Sequence, residues 1–147
     1  MVWGCMGWNG VGMLIEVEGK MNADQYCQIL GDGVVESFEK LEMDEGKRYF
    51  QQDNDPKHTS RKATEWFEDN NIQVLLWPAQ SPDLNPIEHL WEHLKRQLRK
   101  YSNLPRGAHE LWDEWNGIGP KVCQNLIESM PRDIQAVIKA KGGHTKY

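Results

Sequence analysis

Cysteine is scarce in this sequence: Cys5, Cys27 and Cys123 are odd in number, and no two of them form a C-x-x-C pair. That excludes a disulfide framework and a zinc site built from cysteine pairs, and it leads us to expect a reducing compartment. Long apolar runs are also lacking. None approaches the roughly 18 residues of a membrane helix. Met1-Val2-Trp3-Gly4-Cys5 shows no basic segment leading into an apolar stretch, so a soluble chain with no membrane partner and no secretion signal is expected. Glycine (13) and proline (7) are scattered rather than run together, and 39% hydrophobic with 27% charged residues excludes disordered, collagen-like and low-complexity classes. A length of 147 residues makes one ordinary domain.

An excess of positive charge is missing too. The 17 Lys and Arg stand against 22 Asp and Glu, for a net charge of −5. Residues 1–56 hold 4 basic and 11 acidic residues (−7), residues 57–100 hold 7 and 6 (+1), and residues 101–147 hold 6 and 5 (+1). Bulk charge therefore does not point to nucleic acid, and any polyanion site must be local. The local candidates are Lys57, His58, Arg61 and Lys62, then Lys95, Arg96, Arg99 and Lys100.

The segment Met1–Val17 reads as a β-hairpin about Asn9-Gly10. Asn22 caps a helix, Gln25 closes a capping box, and Tyr26, Leu30, Val34, Phe38 and Leu41 recur at helical spacing. Gly31 and Gly33 weaken that helix by about 1 kcal/mol each. Arg48–Gln52 reads as a strand ending at Asp53. Thr59 or Ser60 starts a helix with Ala63, Trp66 and Phe67 on its apolar face, stopped by Asn70-Asn71. Ile72–Trp77 reads as a second, buried strand ended by Pro78. Asn85 caps a long helix with Pro86 at its first position and a stripe of Ile87, Leu90, Trp91, Leu94 and Leu98. Further helices are expected near Gly107–Trp115, Pro120–Ser129 and Pro131–Lys141. Alternating strands and helices with a helical C-terminal part suggest an α/β domain. No internal repeat is present.

Asp53 at a strand end and Glu88 in the first turn of a helix could converge on one sheet edge. There they could hold hard cations such as Mg²⁺, two of which can clamp the attacking and leaving oxygens of a phosphodiester. The alternative is structural: Asp53 in an Asx-turn with Asn54, and Glu88, third after Asn85, in a capping box.

Two blocks of sequence bear on that choice. Gln51-Gln52-Asp53-Asn54-Asp55-Pro56-Lys57-His58 is followed by Trp77-Pro78-Ala79-Gln80-Ser81-Pro82-Asp83-Leu84-Asn85-Pro86-Ile87-Glu88-His89-Leu90-Trp91. Together they strongly resemble the catalytic domain of Tc/mariner superfamily transposases. The resemblance runs from Val2-Trp3-Gly4 to Lys141-Gly142-Gly143-His144-Thr145-Lys146-Tyr147, which looks like the C-terminus of such proteins. It implies a ribonuclease H-like α/β fold with a mixed sheet. It also implies a DDE triad binding two Mg²⁺ or Mn²⁺ ions, with DNA as the partner, a nuclear location and a possible homodimer. Matched by motif, Asp53 is the second aspartate and Glu88 the glutamate.

The first aspartate of the family lies on a strand before the hairpin and has no counterpart in this chain, nor does the N-terminal helix-turn-helix DNA-binding region. Asp24 and Asp32, on the first helix, read as solvated surface rather than as replacements. The expectation is an N-terminally truncated catalytic domain whose central strand is missing, so that two halves of the sheet carry open edges. Whether it is an enzyme stays open at this point. The expected alternatives are a domain inactive alone, or a transposon relic or domesticated DNA-binding or interaction module without catalysis.

Three further features are weighed against plainer readings. His89-Leu90-Trp91-Glu92-His93 fits H-x-x-E-H, an inverted zinc-peptidase motif, but needs a third ligand from Glu110, Glu114 or Glu128. Helix surface near DNA is the plainer reading of the two histidines. The eight residues of the two basic clusters could contact phosphates beside the motif carboxylates or form a solvated face, with Glu92 and Arg96 an i,i+4 pair. Trp66 and Trp91 read as core, and Trp77 as core or a base-stacking platform.

Overall fold

The computed structural model describes residues 1–79, 81–101 and 108–141. The chain divides into two compact units, one of residues 1–5 and 12–80, the other of residues 6–11 and 81–147. Gln80, the stretch before Ala108 and the C-terminal 142–147, all of which entered the sequence reading, lie outside the described residues. No helix among the described residues is long and apolar enough to cross a membrane.

The hairpin forms as expected from β1 (Val2–Gly7) and β2 (Gly10–Glu16). Its turn is Trp8-Asn9, one residue earlier than the expected Asn9-Gly10, and Gly10 opens β2 at φ 134, a backbone conformation that L side chains rarely adopt. Met1 and Val17 close the other end, the Val17 amide donating to the Met1 carbonyl at 2.7 Å.

In the first unit, α1 (Ala23–Ile29) starts at the expected capping box: Asn22 Oδ1 accepts from the Gln25 amide at 2.9 Å and Gln25 Oε1 from the Asn22 amide at 3.1 Å. The helix does not run on regularly. A π-helical segment, Leu30–Val34, joins it to α2 (Val35–Lys40). The apolar spacing explains this. Tyr26, Leu30, Val34 and Phe38 are four apart, and each such step overshoots an α-helical turn by about 40°. A wider turn with i→i+5 bonds absorbs the drift, and all four side chains stay buried with Leu41. They form one core with Ala63, Phe67 and Ile72, against which Trp3, Met21, Phe50 and Trp66 pack. Gly33 sits where the π-helical segment meets the hairpin: a β-carbon there would lie 2.6 Å from Ile15 Cδ1 and 2.9 Å from Trp3 Cζ3, whereas Gly31 faces open space. Asp24 and Asp32 are exposed, as expected.

The strand expected over Arg48–Gln52 is shorter: β3 is Tyr49–Phe50, and Asp53 lies three residues beyond it. After α3 (Arg61–Asp69), capped by Ser60 Oγ and ended at Asn70 and the positive-φ Asn71, β4 (Gln73–Val74) pairs with β3 in parallel. The buried strand expected over Ile72–Trp77 is a second correction. Only Ile72 is buried, Val74 and Leu75 are more than a third exposed and Leu76 is fully exposed. An apolar run records hydrophobicity but not whether a neighbouring layer covers it, and among the described residues β4 has only the two residues of β3 as its ladder partner. The described strands thus form two two-stranded sheets, β1-β2 and β3-β4.

In the second unit, Asn85 precedes α4 (Pro86–Leu98) with Pro86 at its first position, as the sequence implies. Leu90 and Leu94 are buried, and α4 packs on α5 (Ala108–Asn116) and α6 (Pro120–Lys139), with Trp91 stacked on the fully buried Trp115 at 4.9 Å between ring centroids. The two helices expected on either side of Pro131 are one. Proline removes a single backbone bond, to the carbonyl of Ile127. The half-buried series Leu126, Ile127, Met130, Ala136 and Val137 keeps helical register through it.

Candidate active site

Asp53 belongs to the first unit, in the loop between β3 and α3. The polar run Asp53-Asn54-Asp55-Pro56 folds on itself. Asp53 Oδ1 accepts from the Asp55 amide at 3.2 Å, and Asp55 Oδ1 accepts from the Lys57 amide at 3.0 Å, two successive Asx-turns. The structural reading of Asp53 is therefore realised, yet it uses one oxygen only. The same Oδ1 lies 2.5 Å from His58 Nδ1, while the carboxylate as a whole stays exposed. A carboxylate oxygen only accepts, so the ring nitrogen facing it carries the hydrogen.

The imidazole is itself held. Its ring lies against the buried Tyr26 ring, 4.2 Å between centroids. Tyr26 Oη donates to Gln52 Oε1 at 2.5 Å, and Gln52 Nε2 donates to the His58 carbonyl at 3.1 Å. Burial pushes the Tyr26 phenol well above its ordinary value, with the Asp53 charge adding to the effect, so the hydroxyl keeps its proton. Asn54 Nδ2 donates to the Trp77 carbonyl at 2.8 Å, which joins the two motif blocks within this unit. Trp77 is half-buried, and its indole nitrogen is buried with no hydrogen-bond partner among the described residues, which favours the core reading over an open stacking platform.

Glu88 belongs to the second unit, in the first turn of α4. The capping box expected for it is not made: Asn85 gives no side-chain cap, and the Glu88 carboxylate is exposed. The reason is local. Asn85 also ends a 3₁₀ turn, Pro82–Leu84, so its amide donates to the Pro82 carbonyl at 2.9 Å, and the Glu88 amide donates to the Asn85 carbonyl at 3.0 Å, which occupies both amides of the box. Two exposed carboxylates, one with an oxygen left open, have the donor chemistry of hard divalent cations.

The H-x-x-E-H segment offers no such fit for zinc. Among the described residues no group of three or more His, Cys, Asp or Glu side chains gathers as a metal site. His89 Nε2 lies 3.4 Å from the Asp83 carbonyl and His93 Nε2 lies 3.3 Å from Gln97 Nε2.

Six of the eight candidate DNA-contacting residues have partners. Lys57 pairs with Asp55 at 2.5 Å, His58 with Asp53, Arg61 with Glu65 at 2.7 Å, Lys62 with Asp24, Lys95 with Glu92 at 2.7 Å, and Lys100 with Gln97 at 2.6 Å. The Glu92 pair is thus with Lys95, not with Arg96 as expected, and Lys95 holds the Glu92 carboxyl below its usual range. Arg96 and Arg99 are exposed and make no ion pair among the described residues. Tyr26 and Gln52 escaped the sequence reading of the site. Tyr26 is legible only as a helix stripe, and 26 positions of sequence separate the two.

The α/β architecture is that of the ribonuclease H-like fold. The chain superposes on the Mos1 transposase catalytic domain solved with raltegravir and Mg at a TM-score of 0.81, with 23% identity, over 99% of this chain and 75% of that one. On the Mos1 mariner paired end complex with Mn it gives 0.82, with 24% identity, over 99% and 44%. Residues 2–109 match the DDE superfamily endonuclease family. The chain is 43% identical over 150 residues to the transposable element Tcb2 transposase of Caenorhabditis briggsae and 44% over 149 residues to the Tc1 transposase of Caenorhabditis elegans. Each alignment takes in all of this chain and 54% of the relative, so the chain spans about half the length of these relatives. The chain belongs to the DDE superfamily endonucleases, as a Tc/mariner-type transposase domain.

Proposed function

We propose that this chain is the catalytic region of a metal-dependent transposase that cleaves DNA strands at transposon ends and joins the freed 3′-hydroxyl to target DNA, with Asp53 and Glu88 as ligands of Mg²⁺ or Mn²⁺. The observation that carries this reading is the Asp53 carboxylate, which lies in the family motif with Oδ1 pinned by His58 and the Asp55 amide and the rest exposed. Glu88 supports it, since its carboxylate is not consumed by the helix cap. Bound divalent ions supply charge neutralisation at the phosphodiester and a more acidic water or hydroxyl. The chain's own residues supply the oxygen donors. Arg96 in the last turn of α4 and Arg99 at its C-cap supply phosphate-neutralising charge.

Metal and DNA use are supported by the neighbours, the Mos1 proteins having been solved with Mg and, in a paired end complex, with Mn. Choice of transposon end, action in the nucleus and pairing of two copies belong to the same proposal. Titration with Mn²⁺, followed by the electron paramagnetic resonance of the free ion, tests it. Binding in the millimolar range is expected for the parent, weakened at least tenfold in both Asp53→Asn and Glu88→Gln. Equal binding by parent and variants would refute the assignment.

A further inference from the structure

Between the core and Asp53 runs a continuous set of contacts. It starts at Tyr26, 1% exposed among Leu30, Val34 and Phe67. The Tyr26 hydroxyl fixes the Gln52 amide by donating to Oε1, and the other end of that amide donates to the His58 carbonyl at 3.1 Å. The face of Tyr26 fixes the imidazole plane, with the rings tilted by 37° at 4.2 Å. The His58 amide donates to the Asp55 carbonyl at 2.8 Å, which closes the loop beneath the ring. His58 is thereby held by its backbone, its ring face and its Nδ1, with a side chain only 16% exposed beside a carboxylate that is 61% exposed. A surface phosphate contact needs none of this support. A group that must hold something else in one orientation needs all of it.

We infer that His58, braced by Tyr26 and Gln52, is a positioning residue that holds the Asp53 carboxylate with Oδ1 turned to the protein and Oδ2 turned out to a divalent cation. The inference rests on the proposal that Asp53 is a metal ligand. It replaces the phosphate-contact role for His58, because the ring nitrogen in contact is already committed. The contact fixes Nδ1 as the donor: that ring nitrogen carries the hydrogen it gives to Oδ1. An exposed carboxylate free to rotate would lose rotamer freedom on binding a cation, and a carboxylate already oriented has less to lose.

Two measurements on the full chain test this. The first is the ¹⁵N signature of His58, read in parent and in Asp53→Ala without metal. The parent should show the Nδ1-protonated form, and Asp53→Ala should shift toward the Nε2-protonated form. A parent protonated at Nε2 alone would overturn the inference, since Nδ1 could not then donate. The second is the Mn²⁺ dissociation constant of parent, Asp53→Asn, His58→Ala and His58→Asn, with thermal melts to establish that each is folded. Asparagine places an amide nitrogen the same number of bonds from Cα as Nδ1, so it keeps the donor without the ring. We expect His58→Ala to weaken binding about tenfold or more, and His58→Asn to recover most of that loss. Parent-like binding in His58→Ala, or no recovery in His58→Asn, would overturn the positioning role while the loss in Asp53→Asn leaves the metal reading standing. Parent-like binding in Asp53→Asn would instead remove the metal reading, and the brace would lose its purpose with it.

Discussion

The Ser37 hydroxyl accepts the amide hydrogen of Met13 at 2.8 Å, tying α2 to the second hairpin strand through a buried serine. The same oxygen donates to the Gly33 carbonyl and accepts from Cys5 Sγ at 3.1 Å. Replacing Ser37 by Ala leaves the Met13 amide without that acceptor. Unfolding in urea should show a loss of about 1–3 kcal/mol. An unchanged midpoint would mean that water replaces the hydroxyl.

The two glycines of the π-helical segment should behave oppositely. A Gly33→Ala β-carbon meets Ile15 and Trp3 at 2.6 and 2.9 Å, so a loss of about 1–3 kcal/mol is expected. Gly31→Ala meets nothing within 4 Å and should stabilise by up to about 1 kcal/mol through helix propensity. Paired thermal melts decide, and a stabilised Gly33→Ala would remove the close approach of that segment to the hairpin.

Binding of duplex DNA should weaken as salt rises, with the logarithmic slope falling by about one for each of Arg96→Ala and Arg99→Ala. Lys57→Ala should change the slope less, because its ammonium is already paired with Asp55. Fluorescence anisotropy at several salt concentrations measures this, and equal slopes in all three variants would remove α4 as the contact surface.

The Lys57–Asp55 pair carries a definite pH sign. The hydrogen bond from the Lys57 ammonium holds the Asp55 carboxyl below its ordinary range, with the Lys57 amide adding to it. A carboxyl depressed in the folded state contributes stability above its unfolded value, about 3.9, and loses it as pH falls through the folded one. Asp55 is partly exposed, so the effect stays below about 1 kcal/mol. Melts from pH 7 to pH 2 should show Asp55→Asn losing less stability than the parent, and parallel curves would show that the pair contributes nothing.

Burial pushes the Cys123 thiol up to about 11 and raises Cys5 as well. At pH 8 only about one Cys123 in a thousand would be thiolate. Alkylation by iodoacetamide, mapped by mass spectrometry, should therefore reach Cys123 only when the chain is unfolded. Rapid labelling of Cys123 in the native protein would show that α6 opens.

Much of this was legible because local chemistry decided it. Asn22 with Gln25, Ser60 before α3 and Pro86 at the start of α4 each act within one helical turn, and all fall where the sequence puts them. Strand ends and exposure were not legible, because they depend on what lies alongside: nothing in Val74-Leu75-Leu76 tells that Leu76 is bare. Pro131 misled for a related reason, since a breaker in isolation is tolerated where packing carries the helix through. At the site, the motif marks Asp53 and Glu88 but gives no hint that His58 reaches back five residues or that Tyr26 stands behind it.

The wide turn at Leu30–Val34 also governs how this chain can change in length. Removing one residue there would turn one four-residue step into a three-residue step, and an ordinary α-helix would then carry Tyr26, Leu30 and the residues after them on one face, to within about 20° over three turns. Phe38, Leu41 and the Ser37 hydroxyl would keep facing the core and hairpin. An inserted residue, by contrast, would need a second widened turn or would swing that whole face away by about 100°. Variants that keep this fold should therefore lose a residue between Tyr26 and Leu41 more readily than they gain one.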